Sequence, residues 1–186
     1  MWTDAGAQLD ERHRLIALSE LEEKAAWAEV RAGWSEAGLA FSFCVRGKKQ
    51  PPWCRGSRPE DSDGVQVWID TRDVHNVHRA GRFCHRFLFL ASGSSEVLTI
   101  NRARELHNPV RPGLLKTRCE KRADGYLLET WIPAEALTGF DPAEHPRLGF
   151  TYAVIDRELG QQTFGVGSPM SYQEDPSLWA TLELLR

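Results

Sequence analysis

The chain of 186 residues has the length of one domain, or of one domain with long loops, and can bury a substantial core. Lysine and arginine number 23 against 26 acidic residues, a formal charge of −3, so no global field draws the protein to nucleic acid or anionic lipid. At 41% hydrophobic and 26% charged residues the composition is that of an ordinary soluble globular protein. No stretch approaches the roughly 20 apolar residues of a membrane span.

The N-terminal MWTDAGAQLDERHR carries acidic residues early and no apolar segment, so it does not read as a signal peptide. The four cysteines, Cys44, Cys54, Cys84 and Cys119, are widely spaced with no CxxC pattern. Reduced thiols and a cytoplasmic location are therefore expected, with a Cys44–Cys54 disulfide left open as the alternative.

Helical periodicity is scarce. LSELEEKAAWAEV has a candidate cap in Ser19 and a capping-box partner in Glu22, although its end reads equally well as a strand entering AEVRAGW. From there the period is two. Leu39, Phe41, Phe43 and Val45 alternate with smaller or polar residues, as do Val65, Val67 and Ile69. Phe83, Phe87 and Phe89 share one parity; Tyr126, Leu128, Thr130 and Ile132 form another series, and Phe150, Tyr152 and Val154 a third. Such alternation marks strands with one face in a core.

Turn signals separate these runs: GKKQPP, RPEDSDG, ASGSS, ADG at 123–125 and DPAEHPR. IPAEAL at 132–137 offers one helical turn, with Pro133 at its first position. The expectation is an all-β, antiparallel, jelly-roll-like sandwich with long loops and at most a short helix, forming a single domain over 1–186. The longest connections, 47–63 and 91–114, are the places for added function.

The densest chemistry lies in 70–86, with His75, His78, Cys84 and His85 beside Arg72, Arg79, Arg82 and Arg86. His-x-x-His followed by Cys-His could supply zinc ligands, yet Cys84 and His85 on one strand would point to opposite faces. The arginines could receive an anion, or pair with Glu60, Asp61, Asp63, Asp70 and Asp73. Asp61-Ser-Asp63-Gly64 has the look of a calcium turn, or of a plain turn. No nucleophile elbow, HExxH or phosphate-binding glycine loop is present, so nothing in the sequence points to catalysis.

Five segments in order, SDGVQVWIDTRD, CHRFLF, GYLLETWIPAEAL, RLGFTYAVIDRE and DPSLWATLEL, resemble the family-9 carbohydrate-binding modules and their wider DOMON-like superfamily. The resemblance covers about 28–186. It implies a sandwich whose concave face and rim loops take a ligand, with two aromatic rings clamping a terminal sugar. Trp53 and Tyr172 best match those rings. Glu129 matches a structural glutamate, and structural calcium in related modules would fit Asp61 and Asp63.

Strand parity places the family's polar floor at Gln66, Trp68, Leu88, Leu90, Ala153 and Ile155. Sugar-binding members carry a carboxylate, an arginine and amides among these positions, whereas here only Gln66 retains hydrogen-bonding capacity. Each sugar hydroxyl left unsatisfied over such a floor would cost about 1–3 kcal/mol. The apolar floor needs a cover: the 91–114 connection, a second chain, or an apolar ligand.

The expected function is accordingly a non-catalytic carbohydrate-binding-like module, with weak or altered recognition of a glycan or glycoconjugate. Two alternatives stay open. One is an intracellular structural or interaction domain, in one version a homodimer; the other is a metal-binding domain on His75, His78 and His85.

Overall fold

In the computed structural model, which describes residues 2–16, 26–167 and 169–185, the alternating runs pair as two antiparallel sheets. A small hairpin, β1 (Trp2–Thr3) and β2 (Gly6–Ala7), precedes them. The first sheet has the order β3-β4-β5-β10-β9. Its members are β3 (Arg14–Leu15), β4 (Ala28–Ser35), β5 (Gly38–Arg46), β9 (Lys116–Arg122) and β10 (Gly125–Pro133). The second runs β12-β11-β6-β7-β8, with β13 also paired to β11. It is made of β6 (Gly64–Asp70), β7 (Cys84–Leu90), β8 (Ser95–Leu98), β11 (Arg147–Asp156), β12 (Gly160–Thr163) and β13 (Ala180–Glu183).

The fold is the expected all-β sandwich. Residues 17–25, which hold the start of the helix reading with Ser19 and Glu22, lie outside the described residues; from Ala28 the chain is strand. IPAEAL supplies a single 3-10 turn, Ala134–Ala136, with Pro133 one place earlier than expected, at its cap. No helix among the described residues is long and apolar enough to cross a membrane. All four cysteines are free thiols.

The core lies between the sheets and uses the parities read from the sequence. Phe41 on β5 stacks on Phe150 on β11 with centroids 5.5 Å apart and planes 4° from parallel; Phe43 meets Tyr152 edge-on at 5.9 Å. Each such ring removed from water contributes about 1.5–3 kcal/mol. Gln162 straps the sheets together, its Oε1 accepting from the N–H groups of Trp27 and Ala28 at 3.0 Å and its Nε2 donating to the Ala28 carbonyl at 2.7 Å. Phe83 departs from its expected parity partners. It precedes β7 and sits at the rim, with the Arg72 guanidinium 4.2 Å from its ring centroid.

Candidate functional site

Two motif aspartates fix one end of the second sheet. Asp63, just before β6, and Asp156, at the end of β11, share the buried Lys48 ammonium. Lys48 Nζ lies 2.6 Å from Asp156 Oδ2 and 3.1 Å from Asp63 Oδ2. Burial alone would lower the Lys48 pKa, but the hydrogen bonds to Asp156 and Asp63 outweigh it and leave the ammonium favoured. Asp63 also accepts from the backbone of Trp53 at 2.9 Å and Arg157 at 2.7 Å. Its carboxylate is thus a loop anchor. Asp61, the other carboxylate of the expected calcium turn, is exposed, sits in the 3-10 turn Pro59–Asp61 and lies 3.9 Å from Arg58.

That anchor holds the 47–63 connection against the β11–β12 turn and forms a cavity of about 420 Å³. Its walls include Gln50, Pro51, Pro52, Trp53, Arg157 and Glu158. The Arg157 guanidinium lies 4.7 Å from the centroid of the half-buried Trp53 ring, a cation–π contact that steadies the indole. The N–H groups of Gln50 and Lys49 bond to Glu158 and hold its carboxyl below the usual range. Among the charged walls, Lys48 and Arg157 balance Asp63 and Glu158.

The floor is more polar than its parity reading allowed. Arg86 faces the same side as Leu88 and Leu90 and is buried. It donates from Nε to Gln66 Oε1 at 3.1 Å, and from Nη2 to Gln66 Oε1 at 2.7 Å and Glu60 Oε2 at 2.6 Å. Its guanidinium lies 5.4 Å from the Trp68 ring centroid. An arginine, an amide and a carboxylate therefore do meet on this face, which corrects the expectation that Gln66 alone remained.

The floor is covered by the chain itself. Trp68 and Ala153 pack with Ala80, Ile100, Ala103, Val166, Tyr172, Leu178 and Trp179, so the 91–114 connection, one of the three alternative covers, shares this role with two other connections. Leu88 and Leu90 are buried, and Ile155 is half-buried. Tyr172, expected as the second ring of a rim clamp, is 1% exposed. It meets Trp68 edge-on, and its hydroxyl accepts from Gln161 at 2.7 Å. Its faces are not open to a sugar as the chain is folded here. With its apolar face already packed, the sheet gives no reason to invoke a second copy as a cover.

The histidines separate. His75 meets Asp73 at 2.9 Å and Thr181 at 3.1 Å. His85 is buried, accepts from the Thr138 N–H at 2.8 Å and stacks on His107. His78 Nδ1 lies 3.1 Å from Asp175 and 3.0 Å from Ser177 Oγ. A hydrolytic triad needs its carboxylate and hydroxyl on opposite ring nitrogens. Here both meet Nδ1, and Asp175 caps the 3-10 turn Pro176–Leu178 instead. Among the described residues no three His, Cys, Asp or Glu side chains gather as a metal site.

The molecule matches two solved structures of a carbohydrate binding module family 9 from Caldicellulosiruptor kristjanssonii. Against its complex with cellotriose the TM-score is 0.64 at 15% identity, over 84% of this chain and 74% of that one. The fold is that of a family-9 carbohydrate-binding module. The complex with glucose gives a TM-score of 0.62 at 15% identity, over 85% of this chain and 76% of that one. No protein-family model and no curated protein matches the sequence. In this carbohydrate-binding-module fold the motif aspartates proved to be anchors. Lys48, Gln50, Arg157 and Glu158 were not singled out from the sequence. Arg86 was noted only as a rim charge, although its parity with Leu88 was the signal that could have placed it.

Proposed function

We propose that the chain is a non-catalytic module that takes the end of a neutral glycan, weakly, in the Trp53 cavity. The observation that carries this reading is an anchored indole beside Gln50, Arg157 and Glu158 in a 420 Å³ cavity, at the end of a sheet of this fold. An indole face suits the C–H face of a pyranose, and fixed polar groups suit its hydroxyls. The paired charges around it favour an uncharged ligand. Glucose and cellotriose occupy the similar modules, which supports sugars as the first probes. With one accessible ring instead of two, contact area is smaller and affinity lower.

Tryptophan fluorescence titrated with glucose, cellotriose and a wider oligosaccharide panel tests the reading. A saturable shift that Trp53→Ala removes supports it. A response unchanged in Trp53→Ala, or none to any sugar, overturns it. The latter result favours a second reading that the sealed floor supports: a structural or interaction domain that has kept the sandwich without the sugar site.

A further inference from the structure

At the opposite end of the second sheet, β6 ends at Asp70 and β7 begins at Cys84, and the connection between them folds back over a second cavity of about 370 Å³. The seven residue steps from Asp63 to Asp70 separate the two cavities by about 23 Å along the strand. Val74, Val77, Phe83 and Pro176 give it apolar walls. The Cys84 thiol beside them is buried, and that burial together with the Asp70 charge pushes its pKa up to about 12, so it acts as one more apolar surface.

The charges in this wall are not balanced as they are around Trp53. Arg72 and Arg79 line it together with one carboxylate, Asp70, and with His145. Asp70 is buried and its oxygens already accept from the backbone of Arg72 at 3.0 Å and Val74 at 2.9 Å. Arg72 is fastened through Nη1 to the carbonyls of Thr71 at 2.9 Å and Gly139 at 2.6 Å. Arg79 is fastened through Nε to the Arg102 carbonyl at 2.9 Å, and its two terminal amino groups have no bond among the described residues. An arginine held by Nε with its outer nitrogens unspent is already ordered for a carboxylate, which it can meet at two points.

We propose that this cavity binds a small amphipathic carboxylate, its short aliphatic or aromatic body against Val74, Val77, Phe83 and Pro176 and its carboxylate on Arg79. The volume falls at the lower end of the range for small-molecule pockets, roughly 300–1,000 Å³. The apolar walls reject a free inorganic anion, and the excess of guanidinium rejects an amine of the same length.

Calorimetric titration of the full chain with octanoate, and in parallel with octylamine, tests the proposal. Octanoate should bind saturably and octylamine should not. Arg79→Ala, at an exposed side chain, should weaken octanoate about tenfold, the loss of one charge-assisted contact. Val77→Glu, which places a carboxylate in the wall, should abolish binding. Trp53→Ala should leave octanoate affinity unchanged, which separates this site from the proposed glycan cavity. Equal binding of octanoate and octylamine, no binding of octanoate, or unchanged affinity in both Arg79→Ala and Val77→Glu overturns the proposal.

Discussion

Tyr172 meets Trp68 edge-on, with ring centroids 5.4 Å apart and planes at 78°, and together they help to close the outer face of the second sheet. The Trp179 indole N–H donates to the Tyr172 carbonyl at 2.7 Å and locks the covering segment in place. Tyr172 is therefore a packing residue in this state. Tyr172→Ala should cost about 3–5 kcal/mol in urea unfolding, and Tyr172→Phe, which forfeits the hydroxyl's bonds, that to Gln161 among them, about 0.5–1.5 kcal/mol. A cost below about 1 kcal/mol for the alanine variant would mean that the ring is not packed in solution and that the floor is open.

Lys48 binds the two motif aspartates, so removing it strands two buried carboxylates. Lys48→Met should destabilise the protein by about 3–5 kcal/mol. Because the folded-state pKa of Lys48 is raised, its contribution is fully present below the ordinary lysine value and is lost as pH climbs through the folded one. Urea midpoints compared at neutral and strongly alkaline pH should show the gap between wild type and variant narrowing at the alkaline end. A constant gap would mean that the ammonium–carboxylate contacts are not what Lys48 contributes.

The sandwich was legible because its central strands are amphipathic with period two: β5, β6, β10 and β11 all bury the parity read from the sequence. Strand β9, KTRCEKR, was not singled out, since an edge strand with charges on both faces carries no apolar alternation. Arg86 was in view but was grouped with its sequence neighbours at the rim. Its parity with Leu88, which lies opposite Gln66, puts it on the floor instead. The sealing of that floor was legible only as one option among three, with 91–114 as the sole segment named for it. It brings Ala80, Ile100 and Tyr172 together from three distant connections, and no local period records such a meeting.

Gly125 opens β10 directly opposite Arg46 of β5, where any Cβ would run into the Val45 carbonyl oxygen. The obstacle is backbone within a paired strand, so relief requires the ladder to shift. Gly125→Ala should destabilise by about 1–3 kcal/mol, as overpacking does elsewhere. Gly56 has open space at the same point, and alanine there should change stability by less than about 0.5 kcal/mol. Equal thermal midpoints for the two variants would show that the β5–β10 register yields easily.

His85 gives the fold a defined acid sensitivity. Its ring is buried against Phe87 and His107, its Nε2 takes the Thr138 N–H, and burial followed by the neighbouring His107 lowers its pKa to about 3. Above the ordinary histidine value, near 6.5, both folded and unfolded chains hold it neutral and it has no effect on the balance. Between about 6.5 and 3 the unfolded chain takes up a proton that the folded one refuses. Stability therefore falls with decreasing pH, by up to about 1.4 kcal/mol per unit from this group. His85→Gln keeps an acceptor for Thr138 and removes the titration. The difference in unfolding free energy between wild type and this variant, followed from pH 7 to pH 4 with the carboxylates common to both, isolates the effect. The wild type should lose ground steadily below pH 6, and parallel curves would show that the ring is free to protonate in the folded protein.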